Sequence, residues 1–104
     1  MSDERSGVER IADERRRQIG AEGYSSDHDD GHIHEELAMA AACYAAPVTI
    51  YQRRCSSFSD PWPFDDEEDK RHKATTLDTR IRLLEKAGAL IAAEIDRLLR
   101  KKTT

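Results

Sequence analysis

The last quarter of the chain carries an apolar pattern that a long helix would place on one side. Basic residues from Arg97 onward would complement the negative end of the helix dipole. We therefore predict a helix over residues 75–102, opened by a capping pair of Thr75 and Asp78. Its apolar residues follow one another at alternating steps of four and three: Leu77, Ile81, Leu84, Gly88, Ile91, Ile95 and Leu98. Leu83, Leu90 and Leu99 widen this stripe.

This helix is long for the core that the chain can build. The 104 residues are 38% hydrophobic and 6% aromatic, which suits one domain with a modest core. A helix of about 26 residues spans roughly 39 Å, so we expect part of its stripe to pack against a second copy of the chain. Gly88 weakens the helix interior, and we expect it to allow close approach of two backbones at that seam.

Two shorter helices precede a loop region. The first is predicted within residues 1–23, where apolar positions recur from Asp3 to Ala21 before a stop at Gly23. The second is predicted over residues 30–46, where leucine, alanine and Tyr44 form an apolar surface that Pro47 ends.

Residues 47–74 are predicted to be a loop region. The segment "VTIYQ" is short and is expected to be extended or a loop, and "DPWPF" is followed by an acidic run. The sequence thus predicts a single, mainly α domain over residues 1–104: a small helical domain with a long C-terminal amphipathic helix and an irregular middle segment.

Charge and cysteine content limit the class of protein. With 21 acidic and 17 basic residues the net charge is −4, which argues against general nucleic-acid binding, although small anions stay open. The start lacks a signal peptide and no apolar run is long enough to cross a membrane, so we expect a cytoplasmic protein. Cys43 and Cys55 form no zinc motif, and one disulfide between them stays open.

The stretch "SSDHDDGHIHEE" allows two interpretations. His28 and His32 are four apart and could face one metal ion with Asp29 or Glu36, as in a metal-dependent hydrolase. Alternatively, Asp29 or Asp30 is the N-cap of the second helix, which explains the acids without a metal. Counting back from Gly31 puts a leucine at the twelfth position of a calcium loop, which excludes that motif. We therefore predict no metal and no cofactor.

Aromatic and basic residues are grouped around two turns of the chain. Tyr24, Trp62 and Phe64 could stack on a base while basic side chains neutralise phosphate. The alternative is that Trp62 and Phe64 close the bottom of a helical core. The first interpretation predicts a non-catalytic nucleotide site, and Lys73 would add a further cation to it. The predicted ligand-binding residues are Tyr24, His28, Asp29, Asp30, His32, Arg53, Arg54, Trp62, Phe64, Lys70 and Arg71.

Four stretches are distributed along nearly the whole chain: "ERRRQIGAEGY", "HDDGHIHEELAMAAACYA", "DPWPF" and "LLEKAGALIAAEIDRLLR". Together they resemble a family of small proteins encoded by bacteriophages and prophages, whose members usually carry tryptophan at the position of Tyr24. This resemblance implies a phage accessory protein in the host cytoplasm, with the counter-defence role of sequestering a host signalling nucleotide without catalysis. A protein-interaction module that acts on a host factor through its amphipathic helix is the alternative.

A second set of short motifs resembles the ryanodine-receptor repeat, a small helical module with an "EGW" turn. The matching residues are Glu22, Gly23, Tyr24, Asp29, Asp30, Pro63, Phe64, Asp65, Asp66 and Lys70. Such repeats are associated with adenine nucleotides, so this resemblance implies an ADP-ribose-type or cyclic adenine nucleotide as the ligand.

Overall fold

A computed structural model describes residues 4–46, 62–65, 71 and 76–102. The predicted mainly α architecture is confirmed, and the described residues contain no strand. The helices are α1 (Gly7–Ala21), α2 (Ser26–Asp30), α3 (Glu36–Ala45) and α4 (Leu77–Lys102). The segment "VTIYQ", Cys55 and most of the acidic run lie outside the described residues, so the predictions made for them stay predictions.

Helix α1 begins and ends on local sequence signals. Ser6 accepts a hydrogen bond from the Glu9 N–H while the Glu9 carboxylate accepts one from the Ser6 N–H, which forms a capping box. At the other end Gly23 has φ of 73°, a left-handed conformation that suits glycine. The Tyr24 N–H then donates to the Gln18 carbonyl at 3.0 Å, which turns Tyr24 back towards the core.

The predicted second helix over residues 30–46 is wrong in its first part, because residues 31–35 are not helical and α3 begins only at Glu36. Ser25 is the N-cap of the five-residue α2, and its hydroxyl accepts from the His28 N–H. Asp29 and Asp30 therefore lie inside a helix and are not the predicted N-caps. Glu35, in the left-handed conformation with φ of 63°, separates α2 from α3.

Helix α4 begins at Leu77, close to the predicted position. Thr76 and Thr79 cap it reciprocally: each backbone N–H donates to the other residue's hydroxyl, at 2.9 and 3.2 Å. The predicted capping pair of Thr75 with Asp78 stays a prediction, because Thr75 lies outside the described residues. Further along the helix, Arg80 donates to the carbonyl of Tyr44 at 3.0 Å and so ties the end of α3 to α4.

The apolar core lies between α3 and α4. Small alanines let the two helix backbones approach, while Leu37, Leu83 and Leu90 fill the remaining space. Cys43 is buried in α3, as its apolar surroundings in the sequence indicate. The buried members of the core are Leu37, Ala40, Ala41, Tyr44, Leu83, Ala87, Leu90 and Ala93.

Helix α1 packs on another side of α4. The position of a Cβ added to Gly88 would lie 2.5 Å from the Ile11 side chain, so this glycine makes room for α1. The close approach at Gly88 is thus made by α1 of the same chain, and packing against a second copy stays a prediction. Beside it Arg10 donates to Glu85 at 2.7 Å.

The side of α4 that faces the core differs from the predicted stripe. The buried line runs through Leu83, Ala87, Leu90, Glu94 and Arg97. The last two form a buried ion pair, in which Arg97 Nε donates to Glu94 Oε1 at 2.6 Å. Most large residues of the predicted stripe face outward and form what we term the outer stripe: Leu77, Leu84, Ile91, Ile95, Leu98 and Leu99.

Within the described part of the chain, none of the helices combines the length and apolar character needed to cross a lipid bilayer.

Candidate ligand-binding site

Six aromatic rings from separate parts of the chain form one continuous array. Tyr24 and His28 are stacked with ring centroids 4.6 Å apart and planes 4° from parallel. The remaining neighbours meet edge to face at 4.8 to 5.7 Å, a favourable geometry for aromatic pairs. In order along this ring array stand Tyr24, His28, His32, Phe64, Trp62 and Tyr44.

The structure thus brings together five predicted ligand residues that are far apart in the sequence. Tyr24, Trp62 and Phe64 are half-buried and pack against the core, so the core-closing interpretation also describes them. Tyr44, which the sequence placed on an apolar helix surface, adds a sixth ring.

A basic residue lies over one ring of the array. The guanidinium carbon of Arg71 lies 5.1 Å from the centre of the Trp62 ring, within the range of a cation–π interaction. Trp62 also donates from Nε1 to the Asp65 carbonyl at 3.1 Å, which orients the indole. The other predicted cations lie outside the described residues: Arg53, Arg54, Lys70 and Lys73.

A cavity lies where the ring array meets α1 and α4. It has a volume of about 50 Å³, and we term it the central cavity. A side cavity of about 100 Å³ adjoins it, since Tyr24, Phe64 and Leu90 line both. The central cavity is lined by Arg17, Gln18, Glu22, Tyr24, Ala40, Tyr44, Trp62, Phe64, Lys86 and Leu90.

Gln18 supplies a buried acceptor that has no partner among the described residues. Its side chain is 3% exposed and lines the central cavity. The amide nitrogen must face Glu14, because Nε2 donates to Glu14 Oε2 at 3.2 Å. The amide oxygen then points elsewhere, and Oε1 accepts no hydrogen bond from the described residues. A buried carbonyl in this state favours a ligand that brings a donor.

Lys86 supplies a positive charge to the same cavity. Its Nζ lies 3.9 Å from Glu14 Oε2, which is beyond hydrogen-bond distance. Burial lowers the pKa of Lys86 and Arg82 lowers it further, while Glu14 opposes the shift. An anionic group near Nζ would offset the cost of this partly buried charge.

Glu14 holds the cations of this region in place. Arg17 binds its carboxylate with two hydrogen bonds of 2.8 and 2.9 Å, and Arg82 lies 2.6 Å from Oε1. Burial raises the pKa of Glu14, but the hydrogen bonds from Arg17 and Arg82 outweigh it and leave the pKa below its usual value. Glu14 is therefore a charged anchor under the site.

Sequence reasoning missed Gln18 and Lys86, although both carry a positional signal. Gln18 stands four residues after Glu14 and seven after Ile11, on the side of α1 that packs on α4. Lys86 stands three after Leu83 and four before Leu90, so it belongs to the buried side of α4.

The structure gives Asp29 and Asp30 roles other than the predicted ligand binding. Asp29 is fully buried: its oxygens accept from Arg15 at 3.2 Å and lie 3.1 Å from His28 Nδ1. Asp30 pairs with Arg100 at 2.7 Å. The two carboxylates thus fasten α2 to α1 and α4, and Asp29 has no surface left for a ligand.

The histidines are arranged as members of the ring array. His28 directs Nδ1 at Asp29, whereas His32 Nδ1 lies 3.4 Å from Glu36. Among the residues that the structure describes, no three His, Cys, Asp or Glu side chains converge in a way that could hold a metal ion.

No family model, no curated protein and no solved structure matches this chain. The resemblances to the phage family and to the ryanodine-receptor repeat therefore stay predictions based on their motifs.

Proposed function

We propose that the protein binds a small adenine nucleotide at the ring array and holds it without chemical change. The observation that carries the proposal is the pairing of a buried acceptor, Gln18 Oε1, which has no hydrogen-bond partner in the described part of the chain, with a cation, Lys86, in one aromatic-lined cavity. Stacking of a base on an aromatic side chain contributes about 1–3 kcal/mol.

The polar atoms of the site suit a base that carries an exocyclic amino donor. Adenine carries an exocyclic amino group, which can donate a hydrogen bond to Gln18 Oε1. Lys86 and Arg17 would lie near the phosphates, and Arg71 above Trp62 adds a further positive charge. The ligand would therefore place its ring among the aromatics and its phosphates towards solvent.

The size of the cavities sets a condition on this proposal. Volumes of about 50 and 100 Å³ are smaller than the roughly 300–1,000 Å³ of typical small-molecule sites. A base therefore enters as Trp62 and Phe64 move away from Tyr24, while the phosphates stay outside. Because Trp62 is the single tryptophan of the chain, its fluorescence reports this movement directly.

The resemblance to phage proteins suggests the biological purpose of such binding. A phage protein that holds a host signalling nucleotide tightly would lower its free concentration without a catalytic step. We extend the proposal to this sequestering role, with ADP-ribose-type and cyclic adenine nucleotides as the ligand class.

Isothermal titration against ADP-ribose and cyclic adenine oligonucleotides tests the proposal, with the hypoxanthine analogue of ADP-ribose as the matched ligand. Hypoxanthine replaces the amino donor by an oxygen acceptor, so we expect at least about tenfold weaker binding. Equal affinity for the two rings would refute the role of Gln18, and no binding across the panel would refute the proposal.

Substitution of Lys86 distinguishes binding at this site from a general attraction of anions to the protein. Lys86→Met keeps most of the side-chain volume but removes the charge, so the affinity for ADP-ribose should fall by about tenfold or more. Lys102→Met removes an exposed charge from the same helix and should leave the affinity unchanged. Similar losses in both variants would indicate non-specific binding.

A further inference from the structure

A groove between α1 and α4 lies beside the central cavity. Its volume is about 310 Å³, which reaches the lower end of the range for small-molecule sites. Every described residue of its lining is charged, so the groove suits an anionic group better than a base. We term it the arginine groove after four of these residues: Arg5, Arg10, Arg17 and Arg82.

Two acids of the arginine groove lie deeper than its cations. The side chains of Glu14 and Glu85 are 1% and 12% exposed. Those of Arg17 and Arg82 are 36% and 38% exposed. Glu85 accepts from Arg10 at 2.7 Å and from Arg82 at 3.0 Å. The arginines therefore neutralise the buried carboxylates and place positive charge on the side that faces solvent.

Asp13 is the third acid of the groove and the most exposed one. Arg5 donates to one oxygen of its carboxylate, and Arg16 donates to the other. These two arginines balance the charge of Asp13. Because four arginines and three acids line the groove, its net charge is positive.

Arg17 and Arg82 keep hydrogen-bond donors for an added anion. A guanidinium carries five N–H groups. Arg17 donates three hydrogen bonds, two to Glu14 and one to Glu22. Among the described residues, Arg82 contacts carboxylates through its two terminal nitrogens only. The remaining N–H groups can form charge-assisted hydrogen bonds with phosphate oxygens.

The arginine groove adjoins the central cavity, because Arg17 lines both. On α4, Arg82 of the groove stands four residues before Lys86 of the cavity, a spacing of about 5–6 Å between Cβ atoms. The two cations contact one carboxylate: Arg82 lies 2.6 Å from Glu14 Oε1, and Lys86 lies 3.9 Å from Oε2. Anionic groups bound by Arg82 and by Lys86 would therefore be neighbours in one ligand.

We infer that the arginine groove binds the outer phosphate of a diphosphate group whose inner phosphate lies at Lys86 and Arg17. A diphosphate can contact both sets of cations with separate phosphates. The assignment of this group to a nucleotide rests on the proposed function, and it narrows the ligand class to nucleoside diphosphates and their derivatives. Among the two proposed kinds of ligand, it favours ADP-ribose-type over cyclic adenine nucleotides. The anion site itself does not require a base.

Isothermal titration with ADP and AMP tests this inference, at about 0.15 M salt to screen long-range attraction. ADP should bind at least about tenfold more tightly than AMP, because its outer phosphate gains charge-assisted hydrogen bonds in the groove. Arg82→Met should remove this advantage, so that the two nucleotides bind equally well. Arg100→Met should keep the advantage and is the matched control, since Arg100 is also on α4, is 34% exposed and pairs with Asp30.

Both variants should retain the helical circular dichroism of the unmodified chain. The comparison of ADP with AMP in the unmodified chain tests the inference even without them. Equal affinity for the two nucleotides would overturn the arginine groove and leave the proposed nucleotide site standing. An ADP advantage that survives Arg82→Met, or that Arg100→Met also removes, would overturn it as well.

Inorganic pyrophosphate distinguishes failure of the groove from failure of the nucleotide site. It should bind the unmodified chain, and Arg82→Met should weaken this binding by at least about tenfold. Binding of pyrophosphate without binding of ADP or AMP would refute the proposed nucleotide site and support the anion site. No binding of any of the three compounds would overturn both.

Discussion

Helices α1 and α3 pack on the same helix with different chemistry. α3 buries Leu37, Ala40 and Ala41 against α4, whereas the buried residues of α1 are Glu14 and Gln18. The contact of α3 thus depends on apolar area and close packing, while α1 depends largely on hydrogen bonds and ion pairs. Ile11 against Gly88 is an apolar element within that polar contact.

The central cavity lies where these two contacts meet. α3 contributes Ala40 and Tyr44 to its lining, and α1 contributes Arg17 and Gln18. The cavity therefore has an apolar wall and a polar wall, which suits a ligand with a flat ring on one side and anionic groups on the other. The difference between the two helices accordingly bears on function as well as on stability.

The largest effect should come from the apolar contact. Leu37→Ala removes a fully buried side chain and should lower the free energy of unfolding by about 2–5 kcal/mol in urea denaturation. Met39→Ala, at a neighbouring exposed position, should cost less than about 1 kcal/mol. Equal losses would mean that α3 does not pack as described.

A smaller effect should come from the centre of the polar contact. Glu14→Gln leaves Arg17, Arg82 and Lys86 without their shared carboxylate and should lower the free energy of unfolding by about 1–3 kcal/mol. The loss stays this small because the three cations are partly solvent-exposed. The loss should shrink at high salt, unlike that of Leu37→Ala. A Glu14→Gln variant as stable as the unmodified chain would contradict the role of charge in the α1 contact.

The pH dependence of stability should also separate the two contacts. The pKa of Glu14 in the folded protein lies below the usual 4.5, so its charge stabilises the fold above that pH, and this contribution is lost as the pH falls below it. Urea denaturation between pH 7 and pH 3 should show a steeper decline for the unmodified chain than for Glu14→Gln. Parallel curves would contradict the assignment.

The smallest effect concerns the apolar element between α1 and α4. Gly20→Ala, where no atom lies near the added methyl, should stabilise the protein by about 0.5–1 kcal/mol through helix propensity. Gly88→Ala gains the same helix propensity, but its added methyl pushes against Ile11. Its free energy of unfolding should therefore be about 1–3 kcal/mol lower than that of Gly20→Ala in thermal denaturation. Equal stability of the two variants would place α1 farther from Gly88.

The sequence predicted helix α4 and the gathering of aromatic residues, but not the rotation of α4. Apolar residues at Leu83 and Leu90 form one line, and those at Leu84 and Ile91 form another about 100° around the helix. Periodicity identifies both lines but cannot choose between them. The choice depends on the alanines of α3 and on the buried pair of Glu94 and Arg97, which are tertiary contacts.

The remaining errors also come from contacts that a linear pattern does not contain. The acids at Asp29 and Asp30 suggested an N-cap of the second helix, whereas both lie inside α2 and pair with Arg15 and Arg100, which are distant in sequence. The break between α2 and α3 depends on the left-handed Glu35, a residue type that seldom adopts this conformation. By contrast, the capping box at Ser6 was readable from its spacing to Glu9.

The most direct test of the ligand site is a titration of ¹⁵N-labelled protein with ADP-ribose, followed by nuclear magnetic resonance. We predict saturable shifts of the Trp62 indole N–H and the Gln18 side-chain amide, with the Met39 amide unchanged. Saturable binding that leaves Trp62 and Gln18 unshifted, or spectra that do not change at all, would contradict the account.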